Sequence, residues 1–314
     1  MKNVKTIDLF AGIGGVRLAF EKAGFNTVFA NDFEPKCANT YDLNFSAPKL
    51  TVEDIKKINS KQLPNFDLLL GGFPCQPFSV AGKRMGMDDE RGILFFEIAN
   101  ILKERKPLGF FLENVKNLTG HNFGKTFQII LNKLDALGYD VKYAVLNSME
   151  YGNIPQNRER VYIVGFLKET ELINKFIFPK SLQLKKSIKD ILENEVSDIY
   201  YYNNKPLFDK LKKFNFKKNT IYQWRRKYVR ENKSGVCPTL TANMGTGGHN
   251  VPLVMDNKGI RKLTPRECAR IQGYPDTYKL PQIADSFLYK QIGNSVSVPV
   301  VYRIAKNMMS AISS

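Results

Sequence analysis

The first half of the chain alternates between short, continuously apolar runs and segments in which apolar residues recur at helical spacing. Helical spacing is found from about residue 14 to Gly24 and from Pro35 to about Phe45. The apolar runs that predict strands lie at residues 4–10, 27–30, 67–70, 109–112, 141–146 and 161–166. Continuous apolar strands that alternate with helices are typical of sheets covered on both faces. The pattern therefore predicts an α/β fold with a doubly wound, mostly parallel sheet.

The pattern changes after about residue 168, where regular spacing gives way to lysines, tyrosines and irregular sequence. The segment Tyr222–Arg230 interleaves basic and aromatic side chains, which suits phosphate contact and base stacking, although a solvated linker would have a similar composition. Apolar helical spacing returns from Leu263 onward. We therefore predict one larger domain made of residues 1–185 and 285–314, and a smaller, irregular domain made of residues 186–284.

The overall charge favours a polyanionic partner. The 314 residues carry a formal net charge of +17, which attracts nucleic acids at long range, although a lysine-rich protein with no such partner would also be basic. No apolar run is long enough for a membrane span, and no signal-peptide pattern opens the sequence. The four cysteines are too scattered for a disulfide framework or a metal site, so we expect a cytoplasmic protein without a bound metal.

A glycine-rich turn follows the first predicted strand. Phe10, Gly12 and Gly14 lie in this turn, where glycines allow a ligand to approach the backbone closely at the carboxyl edge of the sheet. Asp32 ends the second predicted strand and could accept hydrogen bonds from ribose hydroxyls, and Phe33 could lie against an adenine. These features leave a nicotinamide cofactor and S-adenosylmethionine equally open.

The candidate chemistry lies at the ends of later strands. Cys75 stands between two prolines in a loop that follows a buried strand, an unusual place for a structural cysteine and a suitable one for a thiolate nucleophile. Glu113 ends the next strand on the same edge and is a plausible acid. Arg158 and Arg160 alternate at the entrance to a strand, so they should point the same way and could fix an anionic or carbonyl-bearing substrate.

Six segments of this chain, in this order, resemble the cytosine-5 DNA methyltransferases of bacterial and phage restriction–modification systems. The resemblance covers essentially the whole chain and implies the S-adenosylmethionine-dependent methyltransferase fold. The segments are Phe10–Gly15, Pro74–Gln76, Glu113–Val115, Gln156 with Arg158 and Arg160, Arg261–Arg270, and Gln291–Val296. One departure from the family pattern is Asn153, which looks like an extra residue before Gln156.

The resemblance implies a role for each candidate residue. Cys75 would attack carbon 6 of a cytosine, Glu113 would hold ring nitrogen 3 and the exocyclic amine, and Arg160 would bind the carbonyl oxygen at position 2. The residues implied to line the S-adenosylmethionine pocket are Phe10, Gly12, Gly14, Asp32, Phe33, Asp54, Ile55, Leu94, Asn294 and Val296.

The resemblance also implies that the protein acts, as a monomer, on double-stranded DNA and swings the target base out of the duplex. Residues 186–284 would then form the target-recognition domain, with Thr239 in the family's Thr-Leu marker. Tyr222–Val254 resembles enzymes that modify CC-x-GG-type sites, and a cognate restriction endonuclease is implied. The candidate DNA contacts are Ser79, Lys83 and Arg84 in a lid-like loop, and Arg225, Arg226, Arg230, Thr239 and Asn243 in the second domain.

Three other functions compete with this interpretation. An RNA cytosine methyltransferase would share the fold, but the Cys-Phe-Thr signature of the transfer-RNA branch is absent. A DNA-binding regulator without activity would not need Cys75, Glu113, Arg158 and Arg160 together. A nicotinamide-dependent dehydrogenase would explain the glycine turn but neither the Cys75 loop nor the basic second domain.

Overall fold

The computed structural model describes residues 3–74, 93–225, 227–246 and 250–314. These residues form two compact units. The first unit consists of the residues up to Leu146 together with Glu159–Lys180 and Val300–Ser314. The second unit consists of Asn147–Arg158 and Ser181–Pro299. The predicted division into residues 1–185 with 285–314 and residues 186–284 stays a prediction.

The strands of four or more residues in the described part of the chain lie between Lys5 and Leu167, as the apolar runs predict. In chain order the described strands are β1 (Lys5–Leu9), β2 (Asn26–Asp32), β3 (Thr51–Val52), β4 (Leu68–Gly71), β5 (Gly109–Val115), β6 (Tyr139–Asn147), β7 (Gln156–Asn157), β8 (Glu159–Leu167), β9 (Tyr222–Trp224), β10 (Val229–Glu231), β11 (Cys237–Pro238), β12 (Leu253–Met255) and β13 (Ile260–Lys262).

In the described residues, α-helices lie in six of the twelve connections between these strands and after the last strand. They are α1 (Gly15–Lys22), α2 (Pro35–Asn44), α3 (Ile93–Arg105), α4 (Lys125–Ala136), α5 (Ser148–Tyr151), α6 (Leu172–Lys175), α7 (Phe208–Leu211), α8 (Pro265–Gln272), α9 (Asp285–Asn294) and α10 (Val298–Ser313). Short 3-10 turns lie at Ile55–Lys57, Ser60–Gln62, Lys116–Thr119, Lys168–Thr170, Asp198–Tyr200 and Ala242–Gly245.

The first unit is built on a seven-stranded sheet with the order β3-β2-β1-β4-β5-β8-β6. β1 pairs in parallel with β2 and β4, and the β2–β3 and β4–β5 pairs are also parallel, whereas β8 runs antiparallel to β5. The chain winds outward from β1 to β3 and then returns to β4 on the other side of β1. Such a reversal opens a crevice at the carboxyl ends of β1 and β4, where α/β sheets bind ligands.

The central strands are apolar because the sheet is covered by helices. Leu68, Leu69 and Leu70 in β4 are fully buried, and so are Phe110 and Phe111 in β5. The α3 residues Ile98 and Leu102 belong to the same apolar cluster as β1, β4 and β5. The mostly parallel α/β fold predicted from the sequence is confirmed, and strands β1, β2, β4 and β5 lie within a few residues of the predicted runs.

The second unit contains a small antiparallel sheet with the order β10-β9-β12-β13. Tyr222, Trp224 and Leu253 face an apolar cluster of this unit, which supplies the burial that such short strands need. α8 begins with a capping box, in which the Thr264 hydroxyl and the Glu267 carboxylate each accept a hydrogen bond from the other residue's backbone amide.

The strand that was predicted to hold both Arg158 and Arg160 is interrupted between them. β7 ends at Asn157 and β8 begins at Glu159. The backbone amide of Arg158 donates instead to the side-chain oxygen of Asn147, 3.1 Å away. Strand alternation therefore does not relate these two arginines.

Candidate active site

The turn after β1 has the backbone conformation that its glycines allow. Phe10, Gly12 and Gly14 have φ angles of 55°, 54° and 77°, all in the left-handed region. A Cβ atom on Gly14 would lie 2.4 Å from the ring of Phe45, so this glycine is needed for packing as well. A Cβ atom on Gly12 would meet no other atom within 4 Å, so open space lies in front of that residue.

The end of β2 is held against the glycine turn. The Asp32 carboxylate accepts hydrogen bonds from the backbone amides of Gly12, at 2.8 Å, and Glu34, at 2.9 Å. Burial raises the pKa of Asp32, and these two amides oppose that rise. Each carboxylate oxygen can accept a further bond. Phe33, the next residue, is 73% exposed, which is unusual for a phenylalanine beside a sheet edge.

Asp54 and Ile55 lie beside this strand end because β3 pairs with β2. The Asn31 side chain donates to the carbonyl oxygens of Thr51, at 3.0 Å, and Glu53, at 2.8 Å. Asp54 is exposed and caps the following 3-10 turn, and Ile55 is buried in the first unit's core. The predicted pocket residues Asp32, Phe33, Asp54 and Ile55 are thus brought together at one corner of the sheet. Leu94, at the start of α3, is partly buried against the same core.

Asp8 is a buried titratable residue of this region that was not among the predicted site residues. Its carboxyl group is fully buried in β1, where burial raises its pKa to about 8 despite the nearby charge of Arg17. Arg17 is itself buried and binds Glu21, the Tyr41 hydroxyl and the carbonyl oxygens of the Ala47–Pro48 turn. An aspartate in the middle of an apolar strand is the sequence signal that could have found it.

The start of the Cys75 loop is fixed by β5. The Asn114 side-chain amide donates to the Phe73 carbonyl oxygen at 2.9 Å, and the Phe73 ring is buried 5.8 Å from the ring of Phe95. A Cβ atom on Gly72 would lie 3.7 Å from Glu113 Oε2, so the loop begins next to that carboxylate. Cys75, Ser79, Lys83 and Arg84 lie outside the described residues.

Glu113 and Arg160 form an ion pair across the antiparallel β5–β8 pairing. Arg160 Nε lies 3.2 Å from Glu113 Oε1, and the two side chains are 12% and 10% exposed, respectively. In the β5–β8 register Arg160 lies opposite Val115, which places it diagonally across from Glu113. A largely desolvated carboxyl beside a guanidinium can bind an amide-like ring edge, with donors and acceptors in fixed positions.

Arg158 lies in the second unit and is almost fully buried. Its guanidinium donates to the carbonyl oxygens of Leu240, at 2.9 Å, and Ser295. The Thr239 hydroxyl donates to the Asn157 carbonyl oxygen at 2.8 Å, and Gln156 accepts from the Leu240 amide. The Thr-Leu pair is therefore tied to residues 156–158.

The two remaining predicted pocket residues, Asn294 and Val296, also belong to the second unit. Asn294 is exposed at the end of α9, and Val296 is buried. Gly293 precedes them, and a Cβ atom there would lie 2.2 Å from the Thr241 backbone, so the helix and that backbone are in close contact.

The β9–β10 hairpin presents polar side chains to solvent. Gln223 lies opposite Arg230 in the hairpin register, and Arg225 donates to the Gln223 side chain at 3.0 Å. Arg225, Arg230 and Asn243 are exposed, and Arg226 lies outside the described residues. Gln223 was not among the predicted contacts, although the alternation Tyr-Gln-Trp indicates that its side chain faces away from the apolar cluster.

The described ranges hold no cluster of three or more His, Cys, Asp or Glu side chains that could bind a metal ion. Among the helices in these ranges, none combines the length and the apolar character needed to cross a membrane. Among the described residues, Cys37, Cys237 and Cys268 are buried and form no disulfide bond.

Known proteins resemble this chain over nearly its whole length. Residues 4–310 match the family model of the C-5 cytosine-specific DNA methylases. The type II methyltransferase M.Bsp6I of Bacillus sp. (strain RFL6) is 54% identical over 306 residues, covering 96% of each chain. The type II methyltransferase M.HaeII of Haemophilus aegyptius is 44% identical, covering 99% of this chain and 95% of its own.

Solved structures show the same fold. The methyltransferase EhMeth of Entamoeba histolytica superposes with a TM-score of 0.79 at 21% identity, covering both chains completely. At that identity the likeness concerns the fold alone. The family match over nearly the whole chain and the close relatives show that this protein belongs to the C-5 cytosine-specific DNA methylases and is a DNA (cytosine-5)-methyltransferase.

Proposed function

We propose that this protein transfers a methyl group from S-adenosylmethionine to carbon 5 of a cytosine in a short duplex DNA sequence, with Cys75 as a covalent nucleophile. The observation that carries the proposal is the desolvated Glu113–Arg160 pair beside Gly72, three residues before Cys75. This arrangement supports a pocket in which a thiol and a carboxyl group reach the same pyrimidine ring.

The residues at the crevice fit S-adenosylmethionine. The open space at Gly12 allows a ligand against the turn, Asp32 retains acceptor capacity for ribose hydroxyls, and the exposed Phe33 ring offers a face for adenine. Asp54 would accept from the adenine amino group, and Phe10, Gly14, Ile55, Leu94, Asn294 and Val296 would complete the pocket. When bound, S-adenosylmethionine supplies an electrophilic methyl group on a sulfonium.

Cytosine needs covalent activation because its carbon 5 is a poor nucleophile. The Cys75 thiolate adds to carbon 6, and the electron pair of the 5,6 double bond moves into the ring, where Glu113 binds nitrogen 3 and the exocyclic amine. Arg160 binds the oxygen at position 2 and holds Glu113 in place. Carbon 5 would then take the methyl group as the S–CH3 bond of the sulfonium breaks and a neutral thioether leaves. Loss of the carbon 5 proton to a base such as solvent water restores the 5,6 double bond and expels the thiolate.

Residues of the second unit and of the Cys75 loop face the DNA in this proposal. Arg158 acts as a positioning residue, since it fixes the carbonyl oxygens of Leu240 and Ser295. The exposed cations Arg225 and Arg230, together with Arg226, Thr239 and Asn243, would contact phosphates or bases, while Ser79, Lys83 and Arg84 would close over the DNA from the Cys75 loop.

We further propose that the protein works as a monomer in a bacterial type II restriction–modification system. Its methylation would protect cytoplasmic DNA from a cognate restriction endonuclease. The names of the relatives as type II methyltransferases support this role, and the sequence of Tyr222–Val254 favours a CC-x-GG-type target.

The test is methyl transfer from labelled S-adenosylmethionine to unmethylated duplex DNA, followed by sequencing of 5-methylcytosine at base resolution. We expect label on carbon 5 within one short motif. Cys75→Ala should abolish transfer while DNA binding persists, and Glu113→Gln should lower kcat by about 10²-fold or more. Substantial transfer by Cys75→Ala would overturn the covalent mechanism, and label at another atom would overturn the reaction.

A further inference from the structure

The loop between β5 and α4, residues 116–124, carries a phenylalanine in an unusual setting. Phe123 is 98% exposed, so its ring adds almost nothing to the packing of the first unit. Asn122 and Phe123 have φ angles of 51° and 54°, and Gly124 follows at 81°. A left-handed backbone is costly for a bulky residue, whereas asparagine and glycine adopt it readily.

The loop conformation does not depend on the Phe123 ring. The His121 ring nitrogen Nδ1 and the Thr126 hydroxyl are hydrogen-bonded at 2.8 Å, and Leu118 is buried beneath the loop. The backbone amides of Gly124 and Lys125 donate to the carbonyl oxygens of His121 and Asn122, both at 3.1 Å. These bonds hold the tip in place, so the ring is presented to solvent by a defined turn.

The position of the loop identifies the partner. It leaves the carboxyl end of β5 directly after Glu113–Val115, on the sheet edge where we propose that the cytosine binds. Residues 116–134 contain three lysines and no carboxylate, and Lys125 beside the tip is exposed. Lys116 pairs with the Glu159 carboxylate, so Lys125 is the exposed cation next to the tip. An exposed lysine beside an exposed aromatic ring suits DNA, because the cation can approach a phosphate and the ring can contact sugars or unstacked bases.

We propose that Phe123 is a DNA-contacting residue, which packs its ring on the sugars and base edges beside the extruded cytosine. The inference rests on the proposed site at Glu113, and it adds a contact outside the catalytic pocket. In the free protein the left-handed backbone and the exposed ring of Phe123 are unfavourable, and contacts of the ring with DNA would offset that cost in the complex.

The test compares Phe123→Asn and Phe123→Gly, which both suit the left-handed backbone, with Phe123→Trp, which keeps a ring. Binding is measured by fluorescence anisotropy with a labelled, unmethylated duplex that carries the motif identified in the methyl-transfer experiment. We expect about tenfold weaker binding for the Asn and Gly variants, the loss typical of one stacked ring, and binding within about twofold of the parent for Trp. Ile177→Asn, which changes another exposed apolar residue of the first unit, should bind normally.

Thermal unfolding separates this contact from a structural role. The Asn and Gly variants should melt at or above the parent temperature, because they relieve the backbone. Parent-like DNA affinity in both variants would overturn the proposal. So would a parallel loss of melting temperature and affinity, or self-association of the parent that Phe123→Asn abolishes, which would identify a second copy as the partner. Cys75→Ala and Glu113→Gln report separately on the proposed mechanism.

Discussion

The carboxyl group of Asp8 lies inside the first unit, where burial raises its pKa to about 8. In the unfolded chain the same group titrates at about 3.8. The folded protein therefore binds this proton more tightly between those values, so the Asp8 contribution to stability is fully present below about pH 4 and is lost as the pH rises toward 8. The stability difference between the parent and a variant that cannot ionise at position 8 should therefore depend on pH.

We predict that the melting temperature of Asp8→Asn exceeds that of the parent by an amount that grows as the pH is raised from 5 to 8. Asparagine keeps the shape of aspartic acid but cannot ionise. Scanning fluorimetry across this range checks the prediction, with Asp198→Asn as the control because the Asp198 side chain is 93% exposed. A difference between Asp8→Asn and the parent that stays constant with pH would contradict a buried, titrating Asp8.

Individual residues were predictable where a strand end determines position. The sequence placed Phe10, Asp32 and Glu113 at the carboxyl edge, because parallel strands end there together. The Glu113–Arg160 ion pair was not predictable, since it depends on β8 running antiparallel to β5. The hydrogen bonds of Arg158 to Leu240 and Ser295 join residues 82 and 137 positions apart, which no local pattern reveals.

At the scale of elements, one buried arginine links the small sheet to α8. Arg261 in β13 is 1% exposed and binds the Glu267 carboxylate through two bonds of 2.8 Å and Asp256 through a bond of 2.6 Å. Glu267 also caps α8 and is fully buried. Loss of the guanidinium would leave that carboxylate buried without its cation.

We predict that Arg261→Ala destabilises the second unit by about 3–5 kcal/mol, the usual cost of a buried charge that loses its partner. Trp224, the single tryptophan of the chain, lies in the apolar cluster of this unit and reports its unfolding by fluorescence in urea. Arg230→Ala, an exposed arginine of the same sheet, should change stability by no more than about 0.5 kcal/mol. Equal midpoints for the two variants would show that the buried network contributes little.

The elements themselves were predictable to different degrees. Strands of the first unit were recognised because both faces are buried and the runs are apolar throughout. The short strands β9–β13 were not, because strands of two or three residues are too short for a period of two to appear. Their cluster forms from residues distant in sequence, such as Leu211 and Ile260.

The whole molecule is strongly basic, with a net charge of +17. We predict that the logarithm of the DNA association constant falls linearly with the logarithm of salt concentration, with a slope of about −0.9 per phosphate contacted. Arg225→Ala should reduce the magnitude of the slope by about one if that side chain binds a phosphate. Titrations at several sodium chloride concentrations check this, with Lys61→Ala as a surface-charge control. An unchanged slope would remove Arg225 from the phosphate contacts.

The first unit is assembled from three separate stretches of the chain, and the last of them is Val300–Ser314. In this stretch Val301, Ile304, Ala305 and Met308 are buried, and the α10 residues Arg303 and Asn307 donate to the carbonyl oxygens of Lys180 and Ile177. During synthesis on the ribosome, the core contacts that these residues make can therefore form only after α10 has been translated. A translation product that stops before α10 would lack this helix, so we expect methylation activity only from chains that include α10.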